Sequence, residues 1–267
     1  MTANTPRHPL TEARVAYTIP GMDSVTVRRD VPYRGSEDDS LTMDLYYPSE
    51  SREALPAVLL VTGYSDPGAQ QVLGARFKEI GPFVSWAQLI AASGLVAVTY
   101  TNSTPADVDH VWRHLQEHGP ALGIDVNRLG VWTSSGHGPN ALSFLMERGD
   151  GVRCAVLTYP YTLDDQGSTH VADAARQFRF VTPAAGKFID RLPPSVPLLV
   201  VRAGRDEMPG LNAALDRFVS AALTTNLPIT VINHATGPHA FDLFDQSRAA
   251  HEIVEYMLAF LRSHLVQ

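Results

Sequence analysis

Six short apolar runs dominate the chain: AVLLVT at 57–62, LVAVTYT at 95–101, RLGVWT at 128–133, CAVLTYP at 154–160, PLLVVRAG at 197–204 and ITVIN at 229–233. Runs this apolar make strands with no face left for water, and a strand buried on both faces belongs to a parallel sheet covered by helices. The segments between them supply those helices. FVSWAQLIAAS at 83–93 is closed by Gly94, a helix-ending residue. The next begins at STPADV with Thr104 as N-cap and Pro105 in the first turn, and it spaces Val108, Val111, Trp112 and Leu115 along one stripe. NALSFLMER follows the strand at 128–133. Leu211, Leu215, Phe218 and Ala222 share another stripe, and Val254, Leu258, Leu261 and Leu265 a last one. The alternation predicts an α/β fold.

Before the first of these runs the period is different. SVTVRRDVPY at 24–33 and LTMDLYYP at 41–48 read as antiparallel strands joined by the turn residues RGSEDDS, with Leu41, Met43, Leu45 and Tyr47 alternating with Thr42, Asp44 and Tyr46. Residues 162–194 are less regular, and we expect a lid or insertion there. No repeat or low-complexity stretch interrupts the 267 residues.

Charge narrows the partners. With 21 Lys and Arg against 28 Asp and Glu, the net charge is -7 and no basic stripe could neutralise a phosphate backbone, which argues against nucleic acid. The N-terminal MTANTPRHPLTEARVAY has no apolar leader core, and no stretch approaches the roughly 18 apolar residues that would cross a bilayer. A cytoplasmic protein is expected. The single cysteine, Cys154, sits inside an apolar run, so it reads as a buried strand thiol and permits no internal disulfide.

In a parallel sheet, ligands gather in the loops at the carboxyl ends of the strands. A serine pair follows the strand at 128–133, Asp206 follows that at 197–204, and His239 follows that at 229–233. These three types complement one another. A serine hydroxyl is a weak nucleophile until a base takes its proton. A histidine can take that proton and return it to the leaving group. A carboxylate then orients the imidazole and stabilises its cation. Glu207, Asp164 and Asp165 remain alternative acids, His234 an alternative base and Ser134 an alternative nucleophile.

The order serine, acid, histidine, together with GIDVNRLGVWTSSGHGPNAL, VPLLVVRAGRDEMPG and GPHAFDLFD, resembles the α/β-hydrolase superfamily, most nearly its short-chain esterase and dienelactone-hydrolase-like branch. The resemblance runs from LTMDLYYP nearly to the end of the chain. It implies one α/β-hydrolase domain over 1–267, with a mostly parallel eight-stranded sheet, antiparallel N-terminal strands, helices on both faces and a small lid. The family pattern GxSxG falls on Thr133, Ser134, Ser135, Gly136 and His137, so Ser135 would be the nucleophile, Asp206 the acid and His239 the base. Both pattern glycines are replaced, by Thr133 and His137, while Gly138 supplies a small residue nearby. VTGYSDPG resembles the family's oxyanion loop, with Thr62 where a histidine is usual. The amides of Tyr64 and Gly136 would then hold the oxyanion.

Trp86, His137, Phe178, Phe180 and Phe241 are candidate pocket walls, although aromatics at such spacings are commonly core. His110, His114 and His118 have a spacing open to metal ligation, but Asp107 and Glu117 beside them favour a solvated helix face. No cofactor motif is present, and none is expected. Cleavage of small carboxylic esters through an acyl-enzyme is the expected activity. An acyltransferase, lactonase or small-peptide hydrolase could use the same residues, and a binding protein could keep the fold without catalysis. Oligomeric state is left open.

Overall fold

The computed structural model describes residues 8–35, 40–49, 53–165 and 167–266; most of the turn expected at 34–40 lies outside them. The strands are β1 (Thr26–Arg34), β2 (Leu41–Tyr47), β3 (Leu55–Leu60), β4 (Val96–Tyr100), β5 (Ile124–Ser134), β6 (Val152–Thr158), β7 (Leu198–Arg205) and β8 (Ile229–Pro238). They form one eight-stranded sheet in the order β1-β2-β4-β3-β5-β6-β7-β8. β2 pairs antiparallel with β1 and β4, and every later pairing is parallel. This is the mostly parallel sheet that the apolar runs predict.

The helices are α1 (Asp66–Leu73), α2 (Gly81–Ala92), α3 (Val108–His118), α4 (Gly138–Arg148), α5 (His170–Phe178), α6 (Leu211–Thr224), the single turn α7 (Phe241–Phe244) and α8 (Arg248–Leu265). Two cores result, one on each face of the sheet. Trp112 and Leu115 of α3, Phe144 of α4 and Phe218 of α6 fill one. Trp86 and Ile90 of α2 and Val254, Leu258, Leu261 and Leu265 of α8 fill the other. Each such side chain contributes on the order of 1.5–3 kcal/mol by leaving water, so the stripes read in the sequence are what hold the helices to the sheet.

Several details differ from the sequence reading. β2 alternates as expected, yet both its faces are covered: Met43 and Leu45 enter one core and Tyr46 the other. Asp44, on the polar side, is buried in a 2.7 Å ion pair with Lys78, which is equally buried. α2 starts at Gly81 rather than 83, and β5 starts at Ile124 rather than 128. The Ser65–Pro82 connection contains α1, whose cap is legible in SDPG: Ser65 Oγ accepts from the Gly68 amide and Pro67 sits in the first turn. Residues 162–194 contain α5, whose Val171 and Ala174 pack with Phe180 and Tyr161 against Leu211 and Ala214 of α6. No helix among the described residues is long and apolar enough to cross a membrane.

Candidate active site

β5 delivers the two serines in opposite states. Ser134 ends the strand in extended conformation, φ -145° and ψ 158°, and is largely buried. Ser135 has φ 50°, in the left-handed region that L-residues seldom occupy. Such backbone strain persists only where its surroundings enforce it, and it commonly marks a working residue. The turn runs through a 3-10 segment, Ser135–His137, into α4. It lifts Ser135 off the sheet edge.

Asp206 follows β7 directly and His239 follows β8, so parallel strands bring all three residues to one edge. Ser135 Oγ lies 2.9 Å from His239 Nε2, and His239 Nδ1 lies 2.7 Å from Asp206 Oδ2. The carboxylate can only accept, so Nδ1 carries the proton and Nε2 is free to receive the serine hydroxyl. The Asp206 side chain is fully buried, and its other oxygen accepts from the Met208 amide at 2.9 Å. The imidazole, 27% exposed, remains reachable.

The alternatives lie elsewhere. His234 is buried and bonded to Asp245 at 2.9 Å, its ring packed on Phe241. Asp164 accepts from the Val171 and Ala172 amides at the start of α5, and Glu207 is exposed. The His114 and His118 rings lie against each other at a tilt in α3, and no three His, Cys, Asp or Glu among the described residues could hold a metal. Cys154 is buried in β6, where burial pushes its thiol up to about 12.

The replaced glycines are accommodated in different ways. Thr133 is fully buried, and its hydroxyl is 3.4 Å from the Val61 carbonyl on the neighbouring strand. His137 is buried among the rings of Tyr64, Phe77 and Phe83, and its Nδ1 accepts from the Gly63 amide at 2.8 Å. Burial pushes this imidazole down to about 3, so it is neutral, with its proton on Nε2. Two backbones meet here. A Cβ on Gly63 would lie 2.6 Å from the Gly136 carbonyl oxygen and 2.8 Å from His137 Cα. On the far side, a Cβ on Gly138 would lie 2.2 Å from the Tyr161 carbonyl oxygen.

The loop after β3 is pinned on its other side too. Asn102 Nδ2 donates to the Tyr64 carbonyl at 3.1 Å and to Thr62 Oγ1 at 2.9 Å, while Asp66 accepts from the Phe77 and Asn102 amides. The Tyr64 ring lies against the elbow: its hydroxyl oxygen is 2.2 Å from where a Gly136 Cβ would stand. Burial pushes this phenol up, so it stays a donor. The Gly136 amide belongs to the first turn of a helix, where amides have no intrahelical partner.

A cavity of about 450 Å³ opens beside Ser135 and His239. Trp86, His137 and Phe178 line it; Phe241 and Phe180 do not. Phe241 is fully buried against Tyr159 and His234, and Phe180 packs on Tyr161 and Tyr64, so both serve the core. Missed in the sequence were Phe77, Phe83, Trp132, Leu243, Tyr159 and Asp242, which also line the cavity. A proline after an apolar strand, as in Tyr159-Pro160, was the one local signal of a sharp turn there.

No protein-family model and no curated protein sequence matches the chain. Solved structures do match in shape. A bacterial heroin esterase superposes with TM-score 0.65 at 14% identity, covering 91% of this chain and 86% of its own. Carboxyl esterase 2 from the mycorrhizal fungus Tuber melanosporum gives 0.64 at 15%, covering 97% and 92%. DphMB1 gives 0.63 at 22%, covering 98% and 89%. At these identities the likeness is one of architecture, and together with the strand order and the helices on both faces it makes the chain an α/β-hydrolase in fold.

Proposed function

We propose that the protein is a serine hydrolase of small carboxylic esters, working through an acyl-enzyme. The observation that carries this reading is the unbroken series Ser135 Oγ, His239 and Asp206, at 2.9 and 2.7 Å, opening on an apolar cavity. His239 Nε2 takes the Ser135 proton as the oxygen attacks the ester carbonyl. Asp206 holds the imidazole in the required tautomer and stabilises the imidazolium. The tetrahedral oxyanion is received by the Gly136 and Tyr64 amides, with the Tyr64 phenol, whose hydroxyl lies beside Gly136, as a candidate further donor. Collapse expels the alcohol, which leaves with the proton from His239. Water, deprotonated by the same imidazole, then attacks the acyl group on Ser135 and releases the acid.

Esterases among the structural matches agree with this reading. The cavity size fits a small ligand, and Phe178 with Arg179 forms the part of its wall that residues 162–194 contribute, as a lid would. Treatment with a fluorophosphonate, followed by mass spectrometry of the peptide Arg128 to Arg148, should give one adduct, on Ser135. Ser135→Ala should remove the adduct and nearly all ester turnover. Turnover surviving at more than a few per cent in that variant would refute the assignment.

A further inference from the structure

Asp242, in the turn α7 three positions after His239, is a buried carboxylate that the reaction scheme above does not use. Its Oδ2 accepts from Trp86 Nε1 of α2 at 2.7 Å and its Oδ1 from the Tyr159 hydroxyl at 2.5 Å. Both donors are neutral. Among the described residues no Lys, Arg or His forms an ion pair with it, and Arg179, which lines the same cavity, is not bonded to it. A charge kept in the interior without a cation costs stability, and replacing it with a neutral group usually recovers that cost. The placement therefore calls for a compensating use.

The nearby group that becomes a cation in the proposed scheme is His239, when it takes the serine proton. Tyr159, whose hydroxyl bonds Asp242, presses its ring on the His239 imidazole with centroids 4.9 Å apart. Burial, the largest influence, raises the Asp242 carboxyl overall, and the Tyr159 and Trp86 hydrogen bonds, with the charge of a protonated His239, pull it back only in part. The other groups that face the imidazole or share its cavity are Asp206 after β7, the Tyr159 phenol, neutral His137 and, on the cavity wall, His8 and Arg179.

We propose that Asp242 is a positioning residue that favours the imidazolium on His239, through the Tyr159 ring that it anchors and through its buried charge. It takes no proton and touches no reacting atom. The proposal rests on the serine-hydrolase reading, and its test separates the two.

The test is Asp242→Asn, which keeps the shape and can keep both hydrogen bonds, because the tyrosine hydroxyl can accept as well as donate. Without the carboxylate the imidazolium loses a stabilising charge, so His239 gives up its proton more readily. The acid limb of kcat/KM for a small ester should move to lower pH by roughly half a unit to one unit, and kcat should fall roughly threefold to tenfold with KM little changed. The melting temperature should be equal or higher, because an unpaired buried charge has gone. Tyr159→Phe, which retains the ring, should move the limb the same way by less, and it serves if the Asn variant does not fold. An unmoved acid limb in both variants, or a loss of melting temperature with kcat and KM changing together, would overturn the proposal and leave Asp242 an anchor of the loop. Failure of the wild-type protein to label at Ser135 would instead sink the hydrolase reading itself.

Discussion

Restoring the glycine that the elbow pattern calls for, His137→Gly, should damage this protein. The pattern alone would suggest relief of crowding. In the structure the imidazole is the acceptor for the Gly63 amide at 2.8 Å, and its ring is enclosed by three aromatic side chains. Removing the acceptor strands a buried N–H, at about 1–3 kcal/mol. Emptying the ring's volume costs somewhat less than the 3–5 kcal/mol typical of a deleted Phe or Trp, taken here as about 2. The total is about 3–5 kcal/mol, a large part of the 5–15 kcal/mol that holds a typical domain folded. For a chain of this size it lowers the melting temperature by roughly 6–20 °C. Turnover should fall by roughly 10- to 100-fold as the loop carrying Gly63 and Tyr64 loosens, short of the 10²–10³ lost when an oxyanion donor is deleted outright. His137→Asn places an amide oxygen near the position of Nδ1 and should recover the hydrogen bond but not the ring packing, giving an intermediate melting temperature. Calorimetry and ester turnover on the two variants decide the matter. A His137→Gly protein that melts no lower than wild type and turns over as fast would refute the role given to the imidazole.

The same histidine sets an acid sensitivity. Folded, it is neutral down to about 3; unfolded, it binds a proton below its ordinary 6.5. The unfolded state therefore holds more protons across that window, and stability is lost as pH falls from 6.5 toward 3, by up to on the order of 5 kcal/mol. Urea unfolding at steps of pH should show a shallower decline for His137→Asn than for wild type, and equal slopes would contradict the burial argument. Tyr64→Phe distinguishes the hydroxyl from the amide as oxyanion donor: a drop in kcat of roughly 10-fold or more, with KM held, assigns the phenol a part, whereas unchanged kcat leaves the amides alone.

What the sequence disclosed depended on period and on chain order. Parallel strands and their helices were legible because Val58, Leu59 and Leu60, or Ala97 with Val98, are apolar on both faces, and the stripe Val254, Leu258, Leu261, Leu265 has one helical reading. Ser135, Asp206 and His239 were legible because each stands just past the end of a strand, and a parallel sheet sends those ends to one side. Residues whose roles come from pairing across the fold were not. Nothing local to Lys78 announces that it will be buried against Asp44, 34 positions away in the chain. Asp242 in GPHAFDLFD looks like a helix-starting acid until Trp86, 156 positions distant, is seen to donate to it. Phe241, beside it, has the same apolar character as the cavity's aromatics, and only the direction of the α7 turn sends it inward to the core.

The replaced glycines follow the same logic of distance. Close approach between the elbow and the loop after β3 needs one side to be small, and a motif read along one segment records only the elbow's share of that requirement. Here the loop side supplies the small residue. Gly63 lets its backbone come against Gly136 and His137, and the room so made on the elbow side is taken by an imidazole that bonds back to the Gly63 amide. The pair should therefore be coupled. Gly63→Ala alone drives a methyl group into backbone atoms and His137→Gly alone removes the bond, yet in the double variant the bond is absent already, so the second change costs less than it does alone. A double-mutant cycle on melting temperature that shows strict additivity would mean the two positions answer to separate constraints, and the imidazole would then sit at the elbow independently of Gly63.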